Sequence, residues 1–305
     1  MNEIDPIHIP ILKDEIITFF KDTSQTYFLD GTAGEGGHSR AILETFQTSK
    51  LVTLDRDHVM LERALSRNNS FGDRVIGLNV NFSEFSINSV PLEFQNGFDC
   101  ILLDFGISMY HLKKSERGFS FMGEEFLDMR LTPDSDKTAQ DILNYYKEER
   151  LLKLFLEYGE ENWSKKIVEG IVTKRRKHPF TTTKELASLI EAIIPRKFWP
   201  PKAHPAFRIF QALRIEVNDE LTHIEKGLVN LVPLLKENGI ICCISFHSLE
   251  DRIVKTVFKQ LGINKELEIL TKKPILPSEI EILNNPAARS AKLRVARKTT
   301  VEGLK

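Results

Sequence analysis

The sequence predicts a doubly wound α/β domain carrying an inserted all-helical domain, on three observations. Short apolar runs alternate with helical stretches over residues 1–110 and again after about residue 219, which is the rhythm of parallel βαβ units. Between about 115 and 210 the apolar spacing is mostly helical, with no clear strand. Five of the strand-like runs end in polar or glycine residues, where open α/β sheets bind their ligands.

In chain order, Tyr27-Phe28-Leu29 reads as the first strand, and Ser39 to Phe46 as the helix after it. Leu51 to Leu54 is the second strand and ends at Asp55; His58 to Arg67 is the next helix. Arg74 to Val80 is the third strand, ending near Asn81-Phe82. Phe98 to Leu103 is the fourth and ends at Asp104-Phe105-Gly106. The insertion is expected at 115–210, with Leu151 to Leu156 and Thr183 to Ile190 on helices, leaving 1–114 and 211–305 as the discontinuous α/β domain. The α/β pattern resumes with a helix near Asp219 to Lys236 and a strand at Ile240 to Ile244 that ends in Ser245-Phe246-His247-Ser248. A helix at Leu249 to Gln260 and an edge hairpin of Leu267 to Leu270 with Lys292 to Ala296 complete it.

The most informative segment is Asp30-Gly31-Thr32-Ala33-Gly34-Glu35-Gly36-Gly37-His38, at the turn from first strand to first helix. Glycines let a ligand approach the backbone, the helix start offers unpaired N–H groups, and an acid after the next strand accepts hydrogen bonds from ribose hydroxyls. Asp55 stands where that acid belongs, so a nucleoside-containing cofactor is expected. The glycines at 31, 34, 36 and 37 do not match G-x-G-x-x-G. The pattern D-x-T-x-G-x-G is closer to the first motif of S-adenosylmethionine-dependent methyltransferases.

The 305 residues, 41% hydrophobic, suffice for one large domain or two smaller ones. No apolar run approaches the length of a membrane helix, and Met1 to Pro6 lacks the basic start and apolar stretch of a secretory signal. No membrane partner and a cytoplasmic location are therefore expected. Cys100, Cys242 and Cys243 lie in apolar runs and read as buried small hydrophobes. No Cys/His spacing suggests zinc, and no metal is expected.

Net charge is −1, but it is segregated. Residues 165–215 carry 12 Lys/Arg and 3 Asp/Glu, a net of +9. Residues 84–161 carry 8 and 16, a net of −8, and residues 284–305 carry 6 and 1, a net of +5. A basic face of this kind fits a nucleic-acid partner, although solvated helix surfaces produce charge runs as well.

With these residues in hand, the chain resembles the ribosomal RNA small-subunit methyltransferase H family, also called MraW, nearly end to end. The resemblance rests on His8-Ile9-Pro10-Ile11-Leu12-Lys13-Asp14-Glu15, on Asp30 to Arg40, on Glu116 to Met122 and on Leu127-Asp128-Met129-Arg130. The most specific stretches are His204 to Ile215 and Ile244 to Lys255, and Asn285 to Arg294 resembles the family's end. It implies a Rossmann-like S-adenosylmethionine-dependent methyltransferase domain with an inserted all-helical, substrate-recognition domain. It also implies N4-methylation of a single cytidine in the decoding (P-site) region of 16S rRNA, with the small ribosomal subunit as partner. A homodimer is compatible with these features and not required by them.

The family's S-adenosyl-L-methionine contacts map onto Gly36, Gly37, His38, Asp55, Phe82, Asp104 and the position held by His111. That last loop departs from the family, which usually reads Val-Ser-Ser-Pro-Gln where this chain has Ile107-Ser108-Met109-Tyr110-His111. The exocyclic N4 of cytosine is a weak nucleophile, and an oxygen acceptor beside it localises its lone pair. Asp104 is the candidate, with a loop-ordering Asx role as the competing reading. Related amino-methyltransferases follow such a residue with Pro-Pro-aromatic, whereas Phe105-Gly106 follows here. His247 is a second catalytic candidate, through contact with the target base; a structural histidine is the alternative. Asp55 competes with a helix N-cap role, and Phe82 with plain core packing. Lys174, Arg175, Arg176 and Lys177 are expected to contact RNA phosphates, and Phe119 or Phe121 to stack on a splayed-out base. Three rivals remain: a nicotinamide dehydrogenase, which lacks its glycine spacing here; a methyltransferase of small molecules or proteins, which leaves the basic segments unexplained; and an RNA-binding module without catalysis.

Overall fold

The computed structural model describes residues 9–133, 136–201 and 203–300. Met1 to Pro6, His8, Lys202 and Val301 to Lys305 lie outside the described residues. The chain forms two compact units, one of Met1–Gly106 with Leu221–Lys305 and one of Ile107–Glu220.

Among the described residues, the first unit is built on seven strands: β1 (Tyr27–Asp30), β2 (Lys50–Asp55), β3 (Val75–Asn79), β4 (Phe98–Asp104), β5 (Leu235–Ser245), β6 (Leu267–Ile269) and β7 (Lys292–Lys298). They form one sheet in the order β3-β2-β1-β4-β5-β7-β6. Pairings from β3 through β5 are parallel, and β7 runs antiparallel to both β5 and β6. The expected hairpin is therefore present, with β7 inside and β6 at the edge. Its helices are α1 (Lys13–Phe20), α2 (Gly37–Thr45), α3 (His58–Arg67), α10 (Glu220–Leu231), α11 (Ser248–Ile263) and α12 (Glu279–Asn284).

Alternation along the strands divides the core in two. Leu29, Ile101, Leu103, Ile241 and Cys243 face one apolar layer, while Phe28, Cys100, Leu102, Ile240, Cys242 and Ile244 face the other. This is the period of two that strands impose, with both faces covered as parallel sheets require. The cysteines are free and buried, as expected. Burial in apolar surroundings pushes all three thiols well above their ordinary range.

The helix expected to reach Lys236 is shorter. It ends at Leu231, a 3-10 turn covers Val232–Leu234, and β5 begins at Leu235. Pro233, which has no N–H to give, sits in that turn.

The second unit contains α4 (Met109–Lys113), α5 (Ala139–Tyr145), α6 (Glu148–Glu157), α7 (Ser164–Arg175), α8 (Thr183–Ile193) and α9 (Phe207–Asn218). They surround a core that includes Leu151, Phe155, Ile167, Ile171, Phe180, Ile190 and Leu213. The apolar spacing places this insertion at 115–210; the compact unit spans 107–220 and takes in α9, whose Ile209, Phe210, Leu213 and Val217 belong to its core. Asp219, at φ 47, closes α9 in the left-handed conformation and separates it from α10.

The described residues of 115–133 and 136–138, expected to be mostly helical, are irregular. Glu116, Gly118 and Met129 all have positive φ, which no helix tolerates. At Gly118 (φ 77) an added Cβ would stand 2.1 Å from the Phe126 carbonyl oxygen.

Candidate active site

The strand order reverses between β1 and β4, and their carboxyl ends open the crevice where doubly wound sheets bind ligands. Asp30 ends β1 with only 1% of its surface exposed. Its carboxylate accepts from the Ser39 hydroxyl at 2.6 Å and from the Thr32 N–H at 3.2 Å. The Thr32 hydroxyl oxygen accepts the Asp104 N–H at 2.7 Å, tying the glycine loop to the end of β4. Sequence reasoning passed over Thr32 and Ser39; the threonine of D-x-T was the available signal.

His38 sits in the first turn of α2 and is buried. Its Nε2 lies 2.9 Å from the Ile11 carbonyl oxygen. A carbonyl only accepts, so Nε2 carries the hydrogen. Burial pushes the imidazole pKa down despite nearby Asp30, which favours the neutral ring. Nδ1 is then an acceptor, and it lies 3.6 Å from a carboxylate oxygen of Asp104.

Asp55 ends β2. One carboxylate oxygen accepts from Gly34 N–H at 2.9 Å and the other from Asp57 N–H at 2.8 Å. The N-cap of α3 is Asp57, whose side chain accepts from Val59 N–H, so capping is not the role of Asp55. Burial pushes Asp55 up to about 7 and Asp30 up to about 6. The neighbouring Asp57 and Asp30 carboxylates raise Asp55 further in smaller measure, and Asp104 raises Asp30.

The loop glycines serve different ends. Gly36 (φ 76) caps α2, and an added Cβ would meet Asn68 Nδ2 at 2.6 Å and Ala64 Cα at 2.9 Å, so packing on α3 demands glycine. Gly34 (φ 50) has nothing within 4 Å of the position of a Cβ, so its outer side is open. Gly37 begins α2, whose N-cap makes no side-chain hydrogen bond. The first-turn N–H groups therefore receive no side-chain cap there.

Phe82 lies in a 3-10 turn, Phe82–Glu84, with its ring 5.9 Å from that of Phe105. Gly227 of α10 admits that ring closely: an added Cβ would stand 2.3 Å from it. Asp30, His38, Asp55, Phe82 and Asp104 thus all belong to the first unit. Three carboxylates and a neutral imidazole suit a ligand with a cationic centre and hydroxyls, and neutral Nδ1 suits an ammonium donor.

The remaining candidates have the following surroundings. His111 is buried on α4 in the second unit, its ring 5.4 Å from Phe119. Phe119 is itself a core residue at 5% exposure, which removes it as a stacking platform, because stacking needs an open ring face. Phe121 is stacked on His204 at 4.6 Å. His247 is the N-cap of α11: its ring accepts from Glu250 N–H, while Glu250 accepts from His247 N–H and from Phe246 N–H. Lys174 donates to the Glu185 carbonyl and Arg175 to the Leu143 carbonyl, so both anchor the helical fold. Arg176 and Lys177 are exposed.

Comparison with known proteins places the chain in a family. The profile of the MraW methylase family matches residues 5–299. A Ribosomal RNA small subunit methyltransferase H from Leptospira interrogans serogroup Icterohaemorrhagiae serovar copenhageni (strain Fiocruz L1-130) is 54% identical over 97% of this chain and 90% of its own. The protein of that name from Sulfurihydrogenibium sp. (strain YO3AOP1) is 48% identical over 95% of this chain and 99% of its own. The solved N-methyltransferase NodS from Bradyrhizobium japonicum WM9, in complex with S-adenosyl-l-homocysteine, aligns over 98% of this chain and 94% of its own at 10% identity and TM-score 0.43, too loosely to carry weight.

Proposed function

This chain belongs to the MraW methylase family, and from that premise we propose that it transfers a methyl group from S-adenosylmethionine to N4 of a single cytidine in the decoding region of 16S rRNA. The observation that carries the reading is the convergence of Asp30, Asp55 and Asp104 at neighbouring strand ends around the β1/β4 reversal, with His38 of α2 beside Asp104.

The residues fit the cofactor's chemistry group by group. Asp55 accepts hydrogen bonds from the ribose hydroxyls, and Phe82 supplies an apolar flank for the adenine. The first-turn N–H groups of α2 receive the carboxylate at the positive end of the helix. Neutral His38 offers Nδ1 to the ammonium group, and the ionised acids hold the net positive charge. When bound, the sulfonium supplies an activated methyl and a neutral thioether leaving group.

Catalysis is then mostly positioning, since amine, methyl and sulfur must lie in line. The Asp104 carboxylate accepts a hydrogen bond from the exocyclic amine, localises its lone pair and takes the proton as the new N–C bond forms. In this reading His247 fixes the loop after β5 by capping α11 and does not touch the base.

The test is incubation of the protein with labelled S-adenosylmethionine and undermodified small subunits, with the product nucleotide mapped by mass spectrometry. A methyl group at one cytidine N4 is expected. Label on another atom, or on none, overturns the reading.

A further inference from the structure

One side of α7 carries Lys166, Gly170 and Lys174, each four residues from the next and so on a single helical face, and Lys177 follows in the turn after the helix. With Leu189 and Ile193 of α8 they line an open groove of about 640 Å³. From Lys166 to Lys174 the groove follows α7 for about 12 Å at the helical rise.

At one end the groove meets an aromatic strip. Trp163 immediately precedes α7, and its ring lies 5.4 Å from that of Phe198. Phe198 is 54% exposed, a large apolar surface to leave in water. Each ring in this strip carries a cation: Lys166 stands 5.0 Å from the Trp163 ring, Lys197 5.0 Å from Phe198, and Arg196 5.6 Å from Trp199. The Trp199 indole N–H is held by the Ile194 carbonyl at 2.8 Å, which fixes that ring.

Aromatic faces interleaved with cations beside a basic groove form the combination that binds single-stranded nucleic acid. Every base has a π-face to stack, every nucleotide has a phosphate to neutralise, and a duplex keeps its bases out of reach. The segment's net charge of +9 over residues 165–215 is complementary to a polyanion.

We propose that this strip and groove take an unpaired stretch of RNA, with bases on Trp163 and Phe198 and phosphates on Lys166, Lys177, Arg196 and Lys197. The inference rests on the reading of rRNA as substrate and specifies the form of RNA that the second unit holds.

The chain's two tryptophans, Trp163 and Trp199, both lie in the strip, so intrinsic fluorescence reports on it directly. The full chain would be titrated with a mixed-sequence single-stranded oligoribonucleotide of about ten nucleotides, and with its duplex. Quenching by the single strand at clearly lower concentration than by the duplex is expected. Phe198→Ala and Lys197→Glu should each weaken binding about tenfold, with Phe198→Tyr restoring it. Melting temperature and cofactor affinity should stay unchanged in all three. Equal response to duplex, absence of quenching, or full affinity in Phe198→Ala and Lys197→Glu overturns the proposal. Methylation of small subunits by the unaltered protein, run alongside, separates the two readings. Quenching without methyl transfer sinks the substrate assignment and leaves the strip standing. Methyl transfer with an unchanged KM in both weakened variants sinks the strip alone.

Discussion

The His38 ring presents Nδ1 to a carboxylate oxygen of Asp104 at 3.6 Å. With Nε2 committed to the Ile11 carbonyl, two acceptors face each other across the end of the sheet. They are stable together when a donor or a cation stands between or beside them, which is the electrostatic signature expected of a site built for a charged ligand.

Asp104→Asn keeps the shape of the side chain and removes its basicity. Turnover should fall by about a hundredfold or more, as for loss of a positioned proton acceptor. Affinity for the demethylated cofactor should change less than tenfold. A stopped assay giving native turnover would remove Asp104 from the chemistry; a collapse of affinity alone would make it a binding residue.

Asp55 and Asp30 titrate at about 7 and about 6, so cofactor affinity should depend on pH. Below pH 6 both acids are protonated, and the charge opposite the cationic ligand and the ribose acceptor are lost. Calorimetry should show affinity rising between pH 5.5 and 8. Asp55→Ala should flatten part of that rise and cost about ten- to a hundredfold at pH 8, the worth of hydrogen bonds to a charged group. Flat affinity across this range contradicts the assignment.

The same shifts act on the empty protein with the opposite sign. Asp30 titrates higher in the fold than its ordinary 3.8, so the native state binds the proton more tightly than the unfolded chain. Its penalty is absent below pH 4, grows between pH 4 and 6, and is constant above. Asp30→Asn lacks that ionisation. Relative to the unaltered protein, its melting temperature should therefore be more favourable at pH 8 than at pH 4.5. A difference independent of pH would show that burial does not govern this group.

His247 tests capping against catalysis. His247→Ala should lose about 1 kcal/mol through the cap of α11. His247→Asn, which also caps, should retain stability and most activity. If the Asn variant folds with an unchanged melting temperature and is inactive, the ring acts on the substrate after all.

How far the residues alone led can be seen at particular positions. The strand from Phe98 to Asp104 is legible because a short apolar run, broken only by Asp99, continues the strand–helix alternation of the residues before it. Asp55 is legible because it follows a strand at the right distance from a glycine loop. The irregular stretch from 115 to 133 is not, because its path depends on backbone conformations at Glu116 and Met129 that side-chain periodicity does not encode.

The amino-acid sequence by itself determined the family, the alternation of strands and helices, and the polar residues at the strand ends. These are carried by local pattern and by residue identity. Only the tertiary structure decided which partners the candidate side chains meet. It turned Lys174 and Arg175 inward onto carbonyls, buried Phe119, gave His247 to a helix cap, and set Thr32 against the backbone of Asp104. A side chain's partners come from elements far away in the chain, and burial and charge acquire their values only once those elements have met.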